Sequence, residues 1–208
     1  MTFYQECELK VVEQSNKNNI VFPILVLQIA FIAIAIAGVR WLDIEVTLDS
    51  SALLHWTLIG AIFGSITYSI SLFFAKSNST IGTKLRGEFI KYEELFGGLS
   101  WTAIATLSLA AGLGEESLFR VFLQGWLAQA FHPWMGIVTA AIAFGAVHAT
   151  SKLYFGLSLI VGVALGIAYF VTDSIILVVS WHAIYDFISL SVISKRPALL
   201  KPFRTSEE

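Results

Sequence analysis

The sequence predicts an all-α, polytopic transmembrane helix bundle with about six or seven spans. Three observations carry that reading. First, the 208 residues are 56% hydrophobic and only 13% charged, with mean hydropathy +0.75, whereas a soluble domain carries about a quarter charged residues. Second, the apolar residues fall in successive stretches of membrane-crossing length, about 20 residues for the hydrocarbon core. Third, six ionisable residues are set among those stretches, Glu115, Glu116 and Arg120 between two of them and His148, His182 and Asp186 inside others. The length fits one compact bundle. A net charge of −2 with no long basic tract gives no sign of a nucleic-acid partner. The single Cys7 excludes an internal disulfide framework and any multi-cysteine metal site within one chain.

The elements follow in order. Residues 1–19 mix Glu6, Glu8 and Glu13 with Lys10 and Lys17. The apolar run after them lacks a small-residue cleavage pattern, so 20–39 reads as a retained span, interrupted by Pro23 and Gln28. Residues 52–75, free of Asp, Glu, Lys and Arg, form the second span, with His55 and Trp56 near its start. Residues 76–94 alternate Lys84, Arg86 and Lys91 with Glu88, Glu93 and Glu94, and read either as an amphipathic interfacial helix or as a plain cytoplasmic loop. Apolar stretches follow at 95–114, 121–135, 136–151, 153–172 and 174–194. Lys152 and Asp173 fall at junctions between spans, and Asp186 falls inside one. Gly156, Gly162 and Gly166 are expected to let helices approach closely. Trp41, Trp56, Trp101, Trp126, Trp134 and Trp181 are expected near helix ends, as aromatic belts, with His55 and His132 also interfacial. The division expected is a cytoplasmic segment, two spans and a polar loop over 1–94, a membrane core over 95–194, and a basic cytoplasmic tail over 195–208.

Lysine and arginine counts in short loops set orientation. Residues 40–51 hold one arginine against Asp43, Glu45 and Asp49, and read as outside. Residues 76–94 hold Lys76, Lys84, Arg86 and Lys91, and read as inside, which places the N-terminus inside as well. The tail, with Lys195, Arg196, Lys201 and Arg204, also reads as inside. Five separate spans over 95–194 would put the tail on the wrong side. One stretch must be re-entrant, break the rule or join its neighbour, and 95–135, broken at Gly112-Leu113-Gly114, is the expected place.

An ionisable side chain at mid-bilayer costs roughly 2.5–3.5 kcal/mol on insertion scales, so six of them left in lipid would cost on the order of 10 kcal/mol or more. They must face one another or a wet cavity. Glu116 and Arg120 stand four apart with the acid first, the favourable order for a helical ion pair. Glu115 is turned about 100° away, so the two carboxylates take different tasks. Phe144 and His148 are four apart, as are His182 and Asp186, a spacing that lets the carboxylate orient the imidazole. The bland readings are a structural Glu116–Arg120 pair, His148 as a satisfied interhelical histidine, and Tyr185 and Trp181 as core packing.

Glu-Glu-x-x-x-Arg, Phe-x-x-x-His and His-x-x-x-Asp, in that order on successive apolar stretches, resemble the three motifs of the CPBP family, the CAAX-protease and bacteriocin-processing intramembrane proteins. The resemblance covers roughly residues 95–193, about half the chain. It implies a glutamic-type intramembrane endopeptidase, without cofactor or metal, that hydrolyses a peptide bond of a membrane-associated peptide or protein, by CAAX-type processing or bacteriocin-like maturation. Carried across, Glu115 would be the general base, His148 would bind the same water, Glu116 with Arg120 would support the site, and His182 with Asp186 would occupy the oxyanion position. The implied location is the cell membrane of a prokaryote, with the N-terminus cytoplasmic. The prenyl endopeptidase branch has Asn where this chain has Asp186, so a prenylated substrate does not follow. Oligomeric state is not readable. Two other classes stand beside this one. A metal-dependent protease could use Glu115, His148 and His182 as zinc ligands, although no HExxH is present, and a non-proteolytic immunity or scaffold protein could keep the fold. A proton-coupled transporter is disfavoured by small size and the absence of a repeat.

Overall fold

The computed structural model describes residues 20–46 and 52–202. The expectations for 1–19, including Cys7, and for Asp49 and Arg204 concern positions outside the described residues. In chain order the helices are α1 (Val21–Trp41), α2 (Leu53–Lys76), α3 (Thr80–Phe96), α4 (Trp101–Glu116), a π-helical stretch Ser117–Gln124, α5 (Gly125–Ala130), α6 (Pro133–Val147), α7 (Lys152–Thr172) and α8 (Ile175–Lys195), then a 3₁₀ turn Pro197–Leu200. Among the described residues there is no strand. Helix starts are marked by serines whose hydroxyls accept from the first turn: Ser79 from Gly82 N, Ser100 from Ala103 N, Ser151 from Tyr154 N and Ser174 from Leu177 N. Each satisfies a backbone donor that the helix itself cannot. Asp173 turns α7 into α8 with φ 50°, a left-handed conformation that Asp tolerates better than most residues.

The helix order bears on the stretch that the sequence singles out, 95–135. Trp101–Ala130 runs as one rod, α4 into the π stretch into α5, straight through Gly112 and Gly114. The expected break there is absent; the sharp bend, 117°, lies between Phe96 and Trp101. The reason is that Gly112 packs against α8, where a Cβ would sit 2.8 Å from Val179 O and 3.1 Å from Ala183 Cβ, so its missing side chain serves close approach instead of a kink. Residues 121–135 therefore do not form a separate span.

One end of the bundle gathers Ala75, Leu85, Phe89, Ile193 and Leu200, with Leu153 and Leu157. The first turns of α1 (Val21, Ile24, Leu25) pack there on Leu99, Ile104 and Leu107, and Phe96 touches both groups. Leu165, Tyr169, Leu177 and Val178, with Trp56 and Ile59, form a cluster nearer the other end. By length and composition α1, α2, α7 and α8 are each sufficient to cross a membrane, and the bent pair Thr80–Phe96 with Trp101–Ala130 makes a fifth candidate. α6, at 15 residues, is about 22 Å long, short of a full crossing. Four helices of spanning length, or five with the bent pair, together with the shorter apolar α6 make up the all-α polytopic bundle that the sequence predicts.

α8 lies at the centre, packed against α2, α4 and α7. Gly60 and Gly64 of α2 face it; a Cβ on Gly64 would lie 3.1 Å from Tyr185 N and 3.2 Å from Ile184 Cβ. Gly162 likewise lets α7 approach Ala141 of α6, but Gly156 faces open space, so only part of the expected small-residue face is used. The outside is apolar, with Phe22 73% and Val171 72% exposed, while Glu115, Glu116, Arg120, Gln124, His182 and Gln28 are buried. Apolar surface on that scale would be a liability in water and matches lipid. This is an integral membrane protein.

α3 settles the alternative left open for 76–94. It is a helix with Leu85, Glu88 and Phe89 turned inward and Lys84, Lys91 and Glu94 outward. Arg86 donates to Ala75 O (2.6 Å) and Ser77 O (2.8 Å), satisfying carbonyls at the end of α2. Of the tryptophans, Trp41, Trp101 and Trp134 stand at helix ends, but Trp181 lies well inside α8, where it stacks on Phe63 and donates to Thr67 Oγ1 at 2.9 Å. His132 caps α6 by accepting from Trp134 N, and His55 packs edge-on against Trp56.

Candidate active site

The rod brings Glu115 and Glu116 to the end of α4 and Arg120 into the π stretch that follows. Arg120 Nε lies 3.0 Å from Glu116 Oε2, and both side chains have no exposed surface. The contact is an ion pair off the straight hydrogen-bond line. The guanidinium also sits 4.9 Å over the ring of Phe144 from α6, a cation–π contact. The other oxygen of Glu116, Oε1, accepts from His182 Nδ1 at 2.7 Å, which is short and charge-assisted. Glu116 is therefore engaged at both oxygens.

That pairing corrects one expectation. Asp186 was expected to orient His182, being four residues on in the same helix. Its Oδ2 lies 3.6 Å from His182 Nε2, too long for a hydrogen bond. Glu116, from a different helix, holds Nδ1 instead and leaves Nε2 turned toward Asp186 and toward Glu115 Oε2, 4.0 Å away.

Glu115 is set differently. Its Oε1 accepts from Gln28 Nε2 of α1 at 3.0 Å, and its Oε2 lies 3.4 Å from His148 Nε2. Oε2 has no hydrogen-bond partner among the described residues. His148 is not within α6, as a four-residue helical spacing from Phe144 implied. α6 stops at Val147, and His148 caps it with φ −99°, ψ 7°. Its Nδ1 lies 2.8 Å from Phe144 O, an acceptor only, so Nδ1–H donates and neutral His148 keeps its lone pair on Nε2, facing Glu115.

The structure brings all six sequence-predicted residues together, with Glu115, Glu116, His148 and Asp186 each in an ion-pair contact that includes His182 or Glu115. It adds two residues. Phe144 touches Arg120, His148 (ring centroids 4.5 Å) and His182 (5.7 Å), and so holds the three motifs at one ring. Gln28, the polar interruption of the first span, reaches Glu115. Thr150, just past His148, donates to Glu88 Oε2 of α3 at 2.9 Å, and Lys91 bonds Glu88 Oε1 at 3.1 Å, tying the loop after His148 to α3. Among the described residues no three His, Cys, Asp or Glu side chains are grouped so as to hold a metal ion.

A buried carboxylate with one oxygen held and the other facing two imidazoles, in an apolar bundle, is an arrangement for moving a proton at a carbonyl. Residues 97–188 match the family model of type II CAAX prenyl endopeptidases, Rce1-like. This stretch, rather less than half of the chain, is similar to the CAAX-protease family. All six clustered residues fall within the matched stretch, and Gln28 falls outside it. No curated protein and no solved structure matches the chain. That likeness supports, in general terms, a peptide hydrolase of the intramembrane endopeptidase class, which acts on membrane-associated proteins.

Proposed function

We propose that this protein is a glutamic intramembrane endopeptidase in which Glu115 and His148 activate water and His182 stabilises the oxyanion. The observation that carries the reading is the position of Glu115 Oε2, 3.4 Å from His148 Nε2 and 4.0 Å from His182 Nε2, within a buried cluster. A water hydrogen-bonded to both Glu115 Oε2 and His148 Nε2 loses a proton to the carboxylate as its oxygen attacks the scissile carbonyl carbon. The carbonyl oxygen becomes an oxyanion, met by the Nε2–H of protonated His182, whose Nδ1–H stays on Glu116. One such donor contributes about 2.7–4 kcal/mol to the transition state. Collapse breaks the C–N bond, and the proton held by Glu115 passes to the leaving amine.

Glu116 and Arg120 act from behind: the pair fixes His182 without touching the reacting atoms. His148 and Asp186, whose side chains are 25% and 27% exposed against 0% for Glu116 and Arg120, form the open edge from which a peptide enters. The match to a CAAX endopeptidase model favours CAAX-type processing over bacteriocin-like maturation. Lys84, Arg86 and Lys91 of α3, with Lys195 at the end of α8 and Arg196 and Lys201 past it, gather at the end where α1 begins. By the positive-inside rule that end, and the N-terminus, is cytoplasmic; the membrane we assign is a prokaryotic cell membrane.

The test is cleavage of an internally quenched farnesylated peptide ending in a CAAX tetrapeptide by the purified full chain. Glu115→Gln keeps the shape and removes the base, so kcat should fall at least ~10²-fold while membrane abundance is unchanged. Wild-type activity in Glu115→Gln would overturn the glutamic mechanism. Activity abolished by chelators and restored by zinc alone would replace it with a metal-dependent one.

A further inference from the structure

Gln28 interrupts an otherwise apolar α1, yet its side chain is only 4% exposed. Its Nε2 donates to Glu115 Oε1 at 3.0 Å, and its own Oε1 has no donor among the described residues. The approach is built from both sides. A Cβ on Gly114 would collide with the Gln28 amide oxygen and lie 2.9 Å from the Gln28 backbone oxygen, so the glycine beside Glu115 is what lets α1 and this amide come so close. A polar residue in a span that served only to join two helices could bond any backbone carbonyl. This one bonds the carboxylate of Glu115, on the oxygen that faces neither histidine.

We infer that Gln28 is a positioning residue of the active site, supplied by α1 from outside the family-matched stretch. By holding Oε1 it fixes the rotation of the Glu115 carboxylate and keeps Oε2 directed at His148 and His182. This rests on the proposed role of Glu115. A carboxylate free to rotate presents either oxygen, or neither, to the water, and misplacement on the scale of 1 Å can cost up to roughly 10²-fold in rate.

Gln28→Met keeps length and removes the amide; Gly114→Ala keeps the amide and displaces it. With the same farnesylated reporter, each should lower kcat roughly 10-fold with KM within about two-fold of wild type. The double variant should be little worse than either single one, because both act on one contact. A second readout needs no turnover. The infrared carboxylate band that disappears in Glu115→Gln, and so belongs to Glu115, should shift in Gln28→Met as its hydrogen bond is lost. An unshifted band overturns the inference, as does a kcat within two-fold of wild type per folded enzyme, or a rise in KM at constant kcat. If instead Glu115→Gln itself retains wild-type turnover while the band shifts in Gln28→Met, the contact stands and the catalytic reading of Glu115 is what fails.

Discussion

Glu115 and Glu116 are neighbours in sequence, but the halves of the site they occupy are built to different rules. Around Glu116 both oxygens meet a partner, an ion pair with Arg120 at one and the His182 hydrogen bond at the other, and neither Glu116 nor Arg120 has any exposed surface. Around Glu115 only one oxygen is tied down, by Gln28, and the other faces His148, itself a quarter exposed. A buried pair with both partners engaged stores its charge safely, whereas a carboxylate oxygen without a donor is ready to accept a proton. On the proposed mechanism, one motif supplies both scaffold and reagent, separated by a single rotation of about 100° along the helix.

The comparison can be broken most severely on the sealed side. Arg120→Met takes from the buried Glu116 one of its two partners and leaves only His182, so we expect a loss of about 3–5 kcal/mol in stability. The readout is membrane abundance and the thermal midpoint in detergent, both of which should fall together with activity. If Arg120→Met accumulates and melts like wild type but is inactive, Arg120 belongs with the reagents. Glu115→Gln should show the opposite pattern, with normal abundance and lost turnover.

His182 sits on the boundary and should show both effects. His182→Ala removes an oxyanion donor and a partner of Glu116, so kcat should fall by about 10²–10³ with a stability loss of roughly 1–3 kcal/mol. Turnover and melting measured on the same preparation separate the two. Asp186 sharpens the open side. At 3.6 Å from His182 Nε2 it is not the group that orients the ring. Asp186→Asn, whose amide can both accept from His182 and offer its NH₂ to the oxyanion, should therefore keep kcat within about ten-fold of wild type, and Asp186→Ala should lose more. Equal losses in the two variants would mean that the negative charge itself is required.

The smallest effect is expected at the rim. Thr150→Val removes the bond to Glu88, which keeps Lys91, so about 1 kcal/mol of stability should go and kcat should hardly change. A drop in kcat beyond the loss of folded protein would show that α3, through this loop, sets the position of His148.

Much of this was open to inspection in the sequence, and what was hidden was hidden for a physical reason. The cost of lipid-exposed charge was enough to bring Glu115, Glu116, Arg120, His148, His182 and Asp186 to one place. It said nothing about which oxygen meets which nitrogen. Four-residue spacing suggests partners within a helix, and so pointed His182 at Asp186; the tighter bond runs between helices, to Glu116, where no periodicity can reveal it. The same limit applies to Gln28, 87 positions from Glu115. Apolar runs count residues but not helix type, so the π-helical stretch Ser117–Gln124 and the early stop of α6 at Val147 were invisible. Both matter, since π turns concentrate at functional sites, and the stop at Val147 frees His148 to turn toward Glu115.

The cluster also has a chronology. Gln28 belongs to α1, the two glutamates to the middle of the chain, and His182 to α8, so the parts leave the ribosome in that order. Glu116 therefore emerges well before the imidazole of His182, 66 residues on, that completes it. The hairpin turned by Asp173 arrives last and carries that imidazole with it. On the reading proposed above, a half-made chain in the membrane has a carboxylate but no oxyanion donor.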